Sequence, residues 1–210
     1  MQPDYFANHE RARKFPWTLY HAPLERDLER FLGGITGTNV LVVGCGLMQE
    51  IDHAPTEMRF HVADIDPRAV EAVLARNDPR IVDGTVVPPE APIDEHARLA
   101  NLDAIYAKEV VEHVLAWPAW LAGLRRMLRP GGKLWLSTPN YGETWLPALE
   151  STVLELVARR SGFTRRHMHP TRFSKASLAR GLRGAGFTDV HTHVTPTRLA
   201  ITAWATAPSS

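Results

Sequence analysis

The sequence predicts an α/β protein built on a doubly wound, seven-stranded, mostly parallel sheet. Three observations carry this. Short apolar runs such as VLVV at 40–43 and KLWLST at 133–138 read as strands buried on both faces. Segments with apolar residues at helical spacing alternate with them, the signature of repeated β–α units. The run at 40–43 leads straight into Gly44-Cys45-Gly46, a turn that a ligand at the carboxyl edge of such a sheet can approach closely.

The elements follow in order. Leu24, Leu28, Phe31 and Leu32 share one helical face, and Gly33-Gly34 end that helix. Strand one covers 40–43. Strand two covers 59–63 and ends at Asp64; Asp66 then caps, and Pro67 opens, a helix with Val70, Val73 and Leu74 on one face. Strand three is short, Ile81-Val82, and ends at Asp83. Strand four covers 102–107. Trp117, Leu121, Leu124 and Leu128 mark a helix that Pro130-Gly131-Gly132 terminates, and strand five follows at 133–138. Two further helices are expected, at 148–160 with Leu149, Val153, Leu156 and Val157 on one face, and at 174–186. Strands at 190–194 and 199–205 then form an edge hairpin turning at Thr195-Pro196-Thr197.

Composition narrows the function. Of 210 residues, 44% are hydrophobic and 22% charged, an ordinary globular balance. A net charge of +1 gives no bulk attraction to nucleic acid or to an anionic membrane. Cys45 stands alone, which excludes an intrachain disulfide and fits a reducing compartment. No apolar run approaches the roughly 20 residues that span a bilayer, and the first residues lack the apolar core of a signal peptide. The expectation is a cytoplasmic protein with no nucleic-acid partner and no stable membrane insertion; homo-oligomerisation stays open.

Ligands of doubly wound sheets lie outside the carboxyl ends of the strands, so the residues just past each strand matter most. Gly44, Cys45 and Gly46 follow strand one. Asp64 follows strand two, about 20 residues beyond the glycines, where a carboxylate accepts hydrogen bonds from ribose hydroxyls. Asp83-Gly84 follow strand three, and Lys108, Glu109, Glu112 and His113 follow strand four. Each alone has an ordinary explanation, as a turn, a helix-start carboxylate or a loop residue. Their joint placement after successive strands favours an adenosine-containing ligand.

The chain resembles the class I S-adenosylmethionine-dependent methyltransferases, of the small single-domain type that includes ubiquinone-pathway O-methyltransferases. The matching pieces, in order, are VLVVGCG, VADIDPRAVEAV, DGTVVP, LDAIYAKEVVEHV, LRRMLRPGGKLWLSTPN and RFSKASLARGLRGAGFTDV. The resemblance implies a Rossmann-like methyltransferase fold with an N-terminal helical cap at 1–39, a cofactor-binding domain at 40–210 and a lid insertion at 141–172. It implies that Gly44, Cys45 and Gly46 line the methionine and ribose portion of S-adenosylmethionine. Asp64 would then hold the ribose hydroxyls, Ile65 pack on the adenine, Asp83 and Gly84 face the adenine amino edge, and Lys108 approach mainly through its backbone. Two departures stand out. Val42-Val43 replace an acidic residue that many members carry before the first glycine, and Met48 replaces a third glycine. The aromatic and basic RARKFPWTLYH at 11–21 is the segment expected to close over the cofactor in compensation.

A sulfonium methyl group is already activated, so the protein has to align donor and acceptor and, for a hydroxyl acceptor, remove a proton. His113 is the expected base, against the ordinary reading of a helix-start histidine. Glu109, Glu112 and His113 at i, i+3, i+4 would share a helical face and could hold a divalent cation with His167 or His169, as some relatives with this pattern do; the metal is the less favoured reading. The amphipathic segment 145–166, basic at its end, suggests a lid or an apolar acceptor channel. The expected function is methyl transfer to a small-molecule acceptor, at oxygen rather than nitrogen. The alternatives are an RNA 3′-terminal ribose methyltransferase and a catalytically impaired cofactor-binding partner protein. A nicotinamide dehydrogenase is disfavoured by the incomplete glycine motif.

Overall fold

The computed structural model describes residues 18–89, 91–97, 99–142 and 170–209. The sheet contains seven strands: β1 (Asn39–Val43), β2 (Arg59–Asp64), β3 (Ile81–Val86), β4 (Leu102–Lys108), β5 (Leu128–Pro139), β6 (Thr188–Val194) and β7 (Ala200–Thr206). Their order is β3-β2-β1-β4-β5-β7-β6. The first five are parallel, whereas β7 runs antiparallel between β5 and β6. Strand order reverses between β1 and β4, which puts a cleft above their carboxyl ends. The expected doubly wound sheet with an antiparallel edge hairpin is therefore the one found.

Period-two alternation explains why both faces are buried. Leu41, Val43, Ile105, Ala107, Leu134 and Leu136 face α4 (Trp117–Met127) and α5 (Lys175–Gly184). Val40, Val42, Val62, Ala104, Tyr106 and Trp135 face α1 (Thr18–Gly33) and α2 (Pro67–Leu74). Each fully buried Leu, Phe or Val side chain contributes about 1.5–3 kcal/mol of transfer free energy. On α1 the buried residues are Leu24, Leu28, Phe31 and Leu32, the face the spacing predicts. Asp27 fixes this helix on the sheet, its carboxylate accepting both indole N–H groups of Trp135 and Trp204 at 3.0 Å. Asp66 caps α2 by accepting the Arg68 N–H at 2.9 Å, and Ser174 caps α5 through a reciprocal box with Ser177. One short helix, α3 (Ile93–Ala97), was not expected from the sequence.

Three boundaries differ from expectation. Strand three runs to Val86, so Asp83 and Gly84 lie inside it rather than beyond it. His61, opposite Asp83 in the register and almost fully buried, donates or accepts at Nδ1 with Asp83 Oδ1 at 2.9 Å, and its Nε2 meets Asn39 Oδ1 at 2.9 Å. A Cβ on Gly84 would come within 2.6 Å of Val70 Cγ1, so this glycine lets α2 pack directly on β3. The helix before β5 ends at Met127, and Pro130-Gly131-Gly132 form an irregularity inside a strand whose register shifts between the Leu128 and Lys133 pairings. Third, Glu109 does not extend a helix with Glu112 and His113. It sits outside the single 3-10 turn Val111–His113, in the left-handed region at φ 59°.

The helix expected at 148–160, residues 143–169 of the lid expected at 141–172, His167, His169 and most of the 11–21 segment lie outside the described residues.

Candidate active site

Two loops flank the cleft above β1 and β4. The first begins at Gly44, with φ 71°, and passes through Gly46 at φ 50° and Met48 at φ 44°. A Cβ on Gly44 would come within 2.4 Å of Val110 Cγ2, from the second loop, so this glycine is required both by its conformation and by its neighbour. Met48 adopts the same left-handed conformation without being a glycine. Its side chain is turned away from the loop and buried in the core beside Cys45, Ile51 and Tyr106. Arg76 holds the strained stretch from outside, donating to the Met48 carbonyl at 3.1 Å and to the Leu47 carbonyl at 3.3 Å.

Four backbone donors of this loop are committed within the protein. The Gly44 and Cys45 N–H groups reach the Ala63 carbonyl at 2.8 and 3.3 Å, and the Met48 N–H reaches the Cys45 carbonyl at 2.8 Å. The Gly46 N–H donates to Asp64 Oδ2 at 2.9 Å. A pyrophosphate-cradling loop needs such donors pointing at the ligand. This loop instead offers close approach, which suits a ligand without phosphate.

Asp64 ends β2 and is half-buried. Its Oδ1 accepts the Asp66 N–H at 2.9 Å, complementing the Gly46 bond to Oδ2. An ionised carboxylate offers about four acceptor positions, so two remain for a ligand. Ile65, next in the chain, is 57% exposed, an apolar surface at the lip of the cleft. Cys45 is buried, and burial together with the nearby Asp64 and Glu50 charges pushes its thiol well up, so it acts as a packing residue rather than a nucleophile.

Glu50 is a site residue that the sequence reading missed. It lies on the 3-10 turn Gln49–His53 that follows the glycines, and its carboxylate accepts from the Tyr106 hydroxyl and from Lys108 Nζ, both at 3.1 Å. Burial opposes its charge, but the Lys108 ammonium, the backbone and Tyr106 hold it below the usual carboxylate range. For Lys108, burial works against the charge and the Glu50 carboxylate more than offsets it, raising the ammonium. The Lys108 side chain is thus spent beneath the glycine loop, which leaves its backbone at the strand end. β1 carries no acid in this chain, and the carboxylate arrives from the following turn instead.

The second loop gathers acids. Glu109 accepts from the Tyr20 hydroxyl of α1 and from the Ser137 hydroxyl at 2.9 Å. Burial raises its carboxyl to about 7, against the lowering influence of those two hydroxyls and of Lys108. Glu112 is 1% exposed, and its Oε2 has no hydrogen-bond partner among the described residues. Burial, and then the Glu109 charge, raise its carboxyl well above the ordinary value. His113 Nε2 lies 4.0 Å from Glu112 Oε1, and its side chain is 30% exposed, reachable from the cleft. Among the described residues no three His, Cys, Asp or Glu side chains converge as a metal-binding group.

The structure thus joins Gly44, Cys45, Gly46, Asp64 and, through Glu50, Lys108, and places Ile65 and His113 at the same carboxyl edge. Asp83 and Gly84 are not part of this group; at the edge there lie Val86, the last residue of β3 and paired with Asp64, and Val87 just beyond it, whose N–H donates to the Asp64 carbonyl at 2.8 Å. The missed residues are Glu50, Tyr20 and Ser137. Glu50 had a signal in a lone acid between the apolar Met48 and Ile51. Tyr20 lay in the aromatic segment 11–21 already expected to close over the cofactor, whereas Ser137 had no signal beyond its polarity.

A methyltransferase domain family model matches residues 12–192. A ubiquinone biosynthesis O-methyltransferase from Sodalis glossinidius is 30% identical over 153 residues, covering 67% of this chain. The chain spans only 59% of the length of that relative. Among solved structures, the complex between the Haloferax volcanii Trm112 methyltransferase activator and a candidate methyltransferase matches with a TM-score of 0.72 at 16% identity, covering 99% of each chain. The Haemonchus contortus phosphoethanolamine N-methyltransferase 2 in complex with S-adenosyl-L-methionine matches with a TM-score of 0.68 at 15% identity, covering 90% of this chain and 53% of that one. At such identities the likeness concerns the fold. No described helix is long and apolar enough to cross a membrane.

Proposed function

The chain belongs to the methyltransferase domain family, and from that premise we propose that it transfers a methyl group from S-adenosylmethionine to a small-molecule acceptor, at oxygen rather than nitrogen. The observation that carries the reading is the pairing of Gly46, just past β1, with Asp64 at the end of the neighbouring β2. It fixes a half-buried carboxylate with two acceptor positions left at the edge of the cleft, beside a loop with four N–H groups already committed. That combination suits a nucleoside without a phosphate.

In this reading Gly44, Cys45 and Gly46 leave room for the methionine and ribose portion, Asp64 accepts from the ribose hydroxyls, and Ile65 covers one face of the adenine. Val86 and Val87 take the adenine-edge position first assigned to Asp83 and Gly84. Glu50 keeps Lys108 and the floor of the loop in place. When bound, S-adenosylmethionine supplies a methyl group already activated by its sulfonium sulfur. His113 takes the proton of the acceptor hydroxyl, and Glu112, 4.0 Å away, orients the ring. Preference for oxygen rests on this base and on the relative from Sodalis glossinidius.

Calorimetry with S-adenosylhomocysteine and with NAD tests the reading: saturable binding of the first and none of the second is expected. The reverse pattern refutes it. A second reading, methylation that depends on a protein activator, draws on the likeness to the Haloferax volcanii structure. Cofactor binding and turnover by the isolated chain would remove it.

A further inference from the structure

A separate cavity of about 360 Å³ lies between α1 and the β6–β7 hairpin, along the face of the sheet rather than at the switch point. Its floor is Trp204 of β7. One wall is formed by His191 and His193, two residues apart on β6 and paired in register with Trp204 and Thr202. The opposite wall carries Arg26 and Arg30, one helical turn apart on α1. Two guanidinium groups and two imidazoles therefore converge on one space in a chain whose overall charge is only +1.

The single carboxylate among the lining residues offsets at most one of the two guanidinium charges. Asp27 Oδ2 is occupied by the two indole N–H groups at 3.0 Å, and its Oδ1 meets Arg30 at a long 3.4 Å. The acidic neighbours on the flanking elements are Glu25 and Glu29 on α1 and Asp189 in the β6 irregularity, and β7 carries no charge. Arg26 is exposed. Guanidinium groups are planar forks that bind phosphate oxygens in pairs, and imidazole N–H groups from the facing wall can reach the remaining oxygens. The Trp204 ring, its N–H already committed, offers a flat apolar surface beside them. The volume is at the small end of ligand pockets, roughly 300–1,000 Å³.

We propose that this groove is a binding site for a small phosphomonoester, held by Arg26 and Arg30 against His191 and His193 with its organic part on Trp204. The site is independent of the methyl-transfer reading, because S-adenosylmethionine carries no phosphate. Probes are therefore chosen without adenosine: inorganic phosphate and phenyl phosphate, titrated into the full chain at low salt with chloride matched for ionic strength.

Saturable binding seen by calorimetry or phosphorus NMR is expected for both. Tighter binding of phenyl phosphate would identify an aromatic phosphomonoester, and equal binding would identify free phosphate as the recognised unit. The Arg26→Gln/Arg30→Gln variant should bind at least tenfold more weakly, and His191→Gln/His193→Gln, on the other wall, should also bind more weakly. In both, S-adenosylhomocysteine affinity and thermal stability should be unchanged. No saturable binding by either probe, or binding that survives both double variants, overturns the proposal.

Discussion

Gly44→Ala isolates the contact between the two loops of the cleft. The native residue has φ 71°, and the added Cβ would stand 2.4 Å from Val110 Cγ2, where carbon atoms normally keep about 3.5–4.0 Å. Two costs follow. The left-handed conformation costs a residue bearing a Cβ about 1–2 kcal/mol, and forcing the contact apart adds about 1–3 kcal/mol. Together they make roughly 2–5 kcal/mol, a large fraction of the 5–15 kcal/mol that holds an ordinary domain folded. Val110→Ala in the same chain removes the obstructing methyl groups but leaves the backbone strain, so the double variant should recover only the steric share. Urea denaturation of the four proteins of the cycle measures this coupling, and S-adenosylhomocysteine titration shows whether loop geometry and affinity move together. A Gly44→Ala variant within about 0.5 kcal/mol of the parent, or one that Val110→Ala does not rescue at all, would refute the loop contact.

Asp64→Asn replaces one oxygen by a donor that must face the N–H of Gly46 or of Asp66; S-adenosylhomocysteine should bind at least tenfold more weakly, about 1.4 kcal/mol, by calorimetry. Asp83→Ala should leave that affinity unchanged and instead cost about 1 kcal/mol of stability, since His61 loses its Nδ1 partner; a large loss of affinity in a folded variant would restore the adenine-edge assignment. Glu112→Gln bears on pH. Both Glu109 and Glu112 have folded carboxyl values raised by burial, so their contribution is full at pH values below the ordinary carboxyl range and is lost as pH rises, for Glu109 through about 7. The Gln variant should be more stable than the parent at pH 8 by roughly 1–3 kcal/mol and no better at pH 4. A gap that is the same at both pH values would show that Glu112 is not protonated in the fold.

The parallel strands were legible because their residues are apolar on both faces and the runs are short and bounded by turn residues, which separates them from buried helices. The edge strand β3 was read short for a corresponding reason. Its residues are only partly covered, and Asp83-Gly84 is an ordinary turn signal. What overrides that signal is tertiary: a buried histidine on β2, also hydrogen-bonded to Asn39 of β1, takes the Asp83 carboxylate, and a helix packs too closely for anything but glycine at 84. Pro130-Gly131-Gly132 misled in the same manner, since a break in pairing and a break between elements use the same residues. The left-handed backbone at Met48 and Glu109 had no signal at all, because neither residue type favours it. The glycine loop was recognised from two glycines, but the acid that supports it was not, because Glu50 reaches its partners Tyr106 and Lys108 across 56 and 58 residues of sequence.

Burying two carboxyl groups at one edge limits what charge that edge can carry. Like charges in a poorly hydrated site cannot both ionise without large cost, so one proton is retained by the pair near neutral pH. Geometry decides where the negative charge resides. Glu109 receives two hydroxyl donors, from Tyr20 and Ser137, whereas Glu112 has an oxygen that receives none. Charge therefore gathers on Glu109 and the proton on Glu112. Hydroxyl donors bind a carboxylate more strongly than a neutral acid, which ties the position of Tyr20, and with it the first turn of α1, to the ionisation of Glu109. A cationic ligand at this edge favours the ionised form of Glu109, whereas a neutral one does not.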